Sequence, residues 1–273
     1  MYCLANSSLQ IEILDPITDR NKFGVRYCTG GYIYQVSDLK HGHLLSGPTY
    51  PDSFNWFDGQ GIPDAFNWMP LRSPQKNDSE VLIIGVGLCD LLAKQVTRFC
   101  DWQIEEQPYE LRFTTEQSFD AYALQLIRTL TLNGRSLRSH TQLTNRGAAF
   151  IPISWFPHPF YPQPQRTAEL CHFNIPFQLP AGNLGYELAA NSFIQRKTQA
   201  QQPGFYLPLN HQAQQPLTIL QRHDQLGLIG ANCSYVPSYF PIWGNQHCFS
   251  WEPFFQTIIA PQHSSSWWLD YHF

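Results

Sequence analysis

The chain has 273 residues, of which 43% are hydrophobic, 15% aromatic and only 14% charged, against about 25% charged in ordinary soluble domains. That is apolar mass for one large core, and β-sandwiches of this length often form one unit, so 1–273 is read as a single domain. A net charge of −4 lays down no footprint for nucleic acid or an anionic membrane, which leaves a neutral or locally recognised partner.

The seven cysteines, at positions 3, 28, 89, 100, 171, 233 and 248, are odd in number and contain no CxxC pair. This usage predicts small buried thiols in a reducing compartment, with no disulfide framework and no zinc site. Met1 to Asn6 carry neither the basic nor the apolar segment of a signal peptide. The longest apolar run, 81–88, is far too short to span a bilayer. The expectation is a cytoplasmic, soluble protein.

In chain order, period-2 patterns predict strands over 9–14, 31–36, 81–86, 110–115, 122–132, 136–143, 169–173, 217–221, 226–231 and 256–260. Between 89 and 99, Leu91, Leu92, Gln95 and Phe99 could share a helical face, but a strand fits there nearly as well. Asn133-Gly134 between two alternating runs predicts a hairpin with a type I′ turn. A second turn is expected at His223-Asp224-Gln225. With weak helical periodicity and 21 prolines scattered through the chain, the predicted fold is all-β, a large antiparallel β-sandwich with irregular loops.

Two ionisable residues stand in aromatic, proline-rimmed frames: His158 in Ser154-Trp155-Phe156-Pro157-His158-Pro159-Phe160-Tyr161, and Glu252 in Cys248-Phe249-Ser250-Trp251-Glu252-Pro253-Phe254-Phe255. Aromatic surroundings desolvate such groups and move their pKa values toward the range of proton exchange near neutrality. Flat aromatic faces also pack against sugar rings. A proton donor and a proton acceptor in these settings point to acid/base chemistry on a carbohydrate. The plain alternatives are a buried histidine bonded to backbone and a carboxylate satisfied by a backbone N–H. Charged groups are rarely buried without a partner or a function.

The run from Leu124 to Tyr161, with its hairpin, its Thr144-Asn145-Arg146-Gly147 turn and the His158-Pro159-Phe160 motif, resembles the galactose mutarotase-like superfamily. That superfamily includes the aldose 1-epimerases and hexose-phosphate mutarotases. Phe249-Ser250-Trp251-Glu252-Pro253 is similar to its "cys-ile-glu-pro" motif, and 57–67 is similar, more weakly, to the Gly-Ile-Pro loop of its phosphosugar branch. The resemblance implies the galactose mutarotase-like supersandwich, with His158 as the acid toward the ring oxygen and Glu252 as the base.

Interconverting α and β anomers needs only those two roles, so no metal or organic cofactor is implied. The two groups are expected in one open cleft, roughly 5–8 Å apart across a sugar. Trp56, Phe57, Phe66, Trp68, Trp155, Phe160, Tyr161, Trp243 and Trp251 could supply a stacking platform, most of them being core, and Trp155, Trp243 and Trp251 are the ones expected to line the pocket. The chain departs from the family where Asp58 stands in place of an arginine, with Arg72 the nearby cation. His211 lies where a sugar-binding aspartate is usual, and the family's first histidine has no counterpart in 72–92. Asp58, Arg72 and His211 complete the candidate sugar-binding set.

The alternative on the same fold is a non-catalytic carbohydrate-binding or sugar-sensing protein. A metal held by His41 and His43 is disfavoured, because no carboxylate follows until Asp52.

Overall fold

The computed structural model describes residues 1–47, 60–73, 79–197 and 205–273. Its main feature is a ten-stranded antiparallel sheet. In spatial order the strands are Tyr186–Leu188, Ile194–Arg196, Glu169–Phe173, Thr218–His223, Gly227–Cys233, Ser264–His272, Ser136–Asn145, Tyr122–Asn133, Glu110–Phe119 and Gln103–Gln107. The period-2 segments explain it directly. Along Tyr122–Asn133, Leu124, Leu126, Leu130 and Leu132 are buried, and their neighbours are less so. Leu111 and Phe113, Leu137 and Leu143, and Trp267, Leu269 and Tyr271 continue the same buried face on adjacent strands.

Smaller sheets close the other side of the core. One joins Tyr2–Ala5, Leu9–Ile13, Ile33–Asp38 and Gly42–His43. Another joins Phe255–Ile259, Ile151–Pro157 and Asp64–Ala65, and a third orders Tyr161–Pro162, Cys248–Trp251, Pro241–Gly244 and Phe205–Pro208. One hydrophobic cluster runs through all of them, from Leu4 to Phe273. The architecture is the antiparallel β-sandwich that the patterning predicts.

The ten predicted strands all form, with ends displaced by a few residues. Residues 89–99 take the strand alternative, a hairpin of Gly87–Asp90 and Gln95–Phe99. The main hairpin differs from expectation in its turn. Asn133 pairs with Ser136, so Gly134-Arg135 is the two-residue loop, and Gly134 has φ +56°. Glycine at the first central position is the type II′ pattern, not type I′. The second turn shifts by one residue, with His223 paired to Gly227. All seven cysteines are free, six of them buried and Cys3 exposed. No helix among the described residues is long and apolar enough to cross a membrane.

Candidate active site

His158 follows the strand Ile151–Pro157, whose end pairs with Asp64–Ala65 through Phe156–Ala65 and Pro157–Asp64. The ladder continues past the assigned strand: His158 N–H donates to Pro63 O at 2.8 Å and Phe160 N–H to Gly61 O at 2.8 Å. Prolines 157 and 159 occupy the alternate positions, where no N–H is needed toward that neighbour. The extended chain puts Phe156, His158 and Phe160 on one face, and His158 stacks on Phe160 at 4.2 Å between centroids. Gly61 has φ +70°, and a Cβ there would collide with the Ile33 carbonyl, so only glycine lets this supporting segment lie so close.

Asp64 is held from the large sheet. Arg128, on the inward row of Tyr122–Asn133, forms a buried ion pair with Asp64 and also bonds Thr141 and, at 2.9 Å, Ser139. Arg128 is 1% exposed and Asp64 5%. The pair ties the segment beneath His158 to the core of the fold.

Glu252 extends the strand Cys248–Trp251, and its N–H donates to Pro241 O at 3.0 Å. Ser250 lies two residues earlier and so faces the same way. The two bracket the imidazole: Ser250 Oγ meets His158 Nδ1 at 2.9 Å, and Glu252 Oε1 meets Nε2 at 3.2 Å. His158 and Glu252 are each 3% exposed. Burial pushes the Glu252 carboxyl up to about 8, opposed by the Arg26 charge. Burial also drives the His158 imidazole well below its usual range, and Arg26 adds to that. Both shifts favour an uncharged pair that shares one proton.

The pair opens on a cavity of about 470 Å³, lined by Arg26, Asn67, Trp68, Phe156, Phe160, Tyr206 and Trp243 together with His158 and Glu252. That size is ordinary for a small-molecule site, about 300–1,000 Å³. Register explains part of the wall. Trp243 is the cross-strand partner of both Ser250 and Tyr206, so all three share the cavity side of their sheet.

The same alternation sends other candidates elsewhere. Trp155 is out of phase with Phe156 and His158, and Trp251 with Ser250 and Glu252. Both are in the core, 1% and 0% exposed, where Trp155 packs on Trp267 and Trp251 stacks with Tyr271. The expectation that they line the pocket is corrected on that ground. Arg72 is exposed and His211 packs edge-on against Phe240, and neither lines the cavity. Trp56, Phe57 and Asp58 lie outside the described residues. His41 and His43 are exposed, with His43 bonded to Ser37. The separation of the proposed pair is also shorter than the expected 5–8 Å.

Sequence reading singled out neither Arg26, Asn67 nor Tyr206, and gave Ser250 no role. Ser250 had a signal in its i, i+2 spacing from Glu252. Asn67 closes the 57–67 stretch that carried a weak resemblance, whereas Arg26 and Tyr206 come from distant segments with no signal. A second cleft of about 560 Å³ includes His43, His223, Asp224 and His247. Its polar groups serve the backbone: the buried His223 bonds Leu44 O at 3.0 Å, and the half-buried Asp224 accepts from Gln165 N–H at 2.8 Å.

No family model matches the chain. No curated protein matches it in sequence. Solved structures do share its fold. A galactose mutarotase related enzyme from Lactobacillus acidophilus superposes with a TM-score of 0.65 at 11% identity, over 99% of this chain and 96% of that one. A galactose mutarotase-like protein from Lactobacillus casei gives 0.59 at 13% identity, over 100% and 99%. The GalM/aldose epimerase homologue of C. elegans gives 0.51 at 12%, over 99% and 97%. The fold is therefore the galactose mutarotase-like β-sandwich.

Proposed function

We propose that this chain is an aldose 1-epimerase-like mutarotase that interconverts the α and β anomers of a reducing sugar. The observation that carries the reading is the 3.2 Å contact between His158 Nε2 and Glu252 Oε1 in the wall of an aromatic cavity. In this role the shared proton first moves from Glu252 to His158 Nε2 across their contact; Glu252 then takes the proton from the C1 hydroxyl while His158 gives one to the ring oxygen, and the C1–O5 bond breaks. The open aldehyde rotates about C1–C2, O5 adds to the other face, and the two protons return. Both oxygens are bonded to C1, so a donor and an acceptor in contact with each other suit them better than groups on opposite sides of the ring.

The direct contact also supports turnover. Ring closure returns one proton from O5 to His158 and one from Glu252 to O1, and the proton they share then passes back across the contact to the uncharged resting pair. Ser250 fixes the ring orientation through Nδ1. The fold likeness to mutarotase-related proteins supports the same reading.

Polarimetry on freshly dissolved α-glucose and α-galactose tests it. The wild-type protein accelerates the approach to equilibrium, and Glu252→Gln and His158→Gln each lower the rate by about 100-fold or more. A wild-type rate equal to the spontaneous one, with sugar binding still measurable by calorimetry, would assign the fold to carbohydrate binding instead.

A further inference from the structure

The mouth of the cavity carries aromatic surface that ring opening does not use. Trp68 is 56% exposed and Tyr206 44%. The Trp68 ring lies 6.4 Å from Tyr239, tilted by 35°, and 5.4 Å from Phe254, edge-on. The hydroxyls of Tyr206 and Tyr239 bond each other at 2.8 Å. Trp68 and Tyr206 line the cavity, whereas Tyr239 does not. Tyr239 is half-buried against Phe254, at 5.2 Å between centroids, and the three rings form one contiguous aromatic group at the cavity mouth.

Isolated exposed aromatics need no explanation, but a contiguous set beside a cavity does. Each of these rings pairs a flat apolar face with a polar edge. A pyranose has the same division, with C–H groups on its faces and hydroxyls around its rim. The chemistry at the pair then orients the ligand. A sugar linked through C1 has no anomeric hydroxyl to deprotonate, so the ring in the cavity is a reducing end. Whatever covers the outer rings is attached to it through another carbon.

We infer that the substrate class is a reducing oligosaccharide, of two rings or more, whose second ring stacks on Trp68, Tyr206 and Tyr239. The inference rests on the mutarotase reading for the direction of the chain and goes beyond it in naming what lies outside the cavity.

The test compares glucose with cellobiose, maltose and lactose in the wild-type protein, Tyr239→Ala and Tyr239→Phe. At least one disaccharide should exceed glucose in kcat/KM by about tenfold, the factor that roughly 1.4 kcal/mol of stacking supplies. That advantage collapses toward one in Tyr239→Ala. It returns in Tyr239→Phe, which keeps the ring and loses only the hydroxyl. A ratio near one for all three disaccharides in the wild type, or an unchanged ratio in Tyr239→Ala, overturns the inference.

Calorimetric binding separates this result from failure of the mutarotase reading. If no sugar is turned over, disaccharide binding about tenfold tighter than glucose, and lost in Tyr239→Ala, still supports the platform. Equal affinities reject it. A concentration-dependent dimer that Trp68→Ala abolishes would give the surface to a second copy of the chain and overturn the inference.

Discussion

At the scale of single residues, the chemistry lies in one imidazole held between a hydroxyl and a carboxyl. Ser250 and Glu252 reach opposite nitrogens of His158 because they stand two apart on an extended chain. Burial raises Glu252 to about 8 and depresses His158, which sets the pH response of the proposed reaction. With one shared proton the pair has both an acid and a base. As pH rises through about 8 that proton leaves, neither group can protonate the ring oxygen, and kcat/KM falls. As pH drops well below the usual imidazole range a second proton binds, no base remains, and kcat/KM falls again. A pH profile of wild-type polarimetric rates should therefore hold near neutrality and decline on both sides. Activity still rising at pH 9.5 would contradict these proton assignments.

At the scale of elements, the site is assembled from strand ends rather than from one motif. Ile151–Pro157 delivers His158, Cys248–Trp251 delivers Glu252, and 61–64 underlies the histidine through two backbone hydrogen bonds. The buried Arg128–Asp64 pair fastens that last segment to the large sheet. Removing one charge from a buried pair leaves the other uncompensated, at about 3–5 kcal/mol. Asp64→Asn should lower the unfolding free energy in urea by that order and slow the proposed reaction by loosening the support of His158. A stability loss well under 1 kcal/mol would show that Asp64 does not anchor this segment.

At the scale of the whole molecule, the sheet is closed by the end of the sequence. Ser264–His272 lies between Gly227–Cys233 and Ser136–Asn145. It joins strands far apart in the chain and buries Trp267, Leu269 and Tyr271. Truncation after residue 263 would leave two unpaired sheet edges facing each other and open the main core. The shortened chain should lose the cooperative thermal transition of the full one when both are followed by circular dichroism. Retention of that transition would mean that each half of the sheet is stable without its central strand.

Local chemistry made much of this protein legible. Period-2 alternation marks the strands because each residue's face follows from its neighbours, and the Asn133-Gly134 hairpin announces itself through glycine's tolerance of positive φ. The aromatic frames drew notice to His158 and Glu252 for the same local reason. Alternation also held an answer that composition obscured: Trp155 and Trp251 point away from the faces that carry His158 and Glu252. Only the tertiary structure placed those two side chains in contact, measured the gap between them and brought Arg26, Asn67, Trp68 and Tyr206 around one cavity. Arg128 could not be read as the anchor of Asp64 from sequence, because a charge inside a leucine row acquires its partner only when distant strands meet. Secondary structure is written in neighbours along the chain, whereas a binding site is written in neighbours across it.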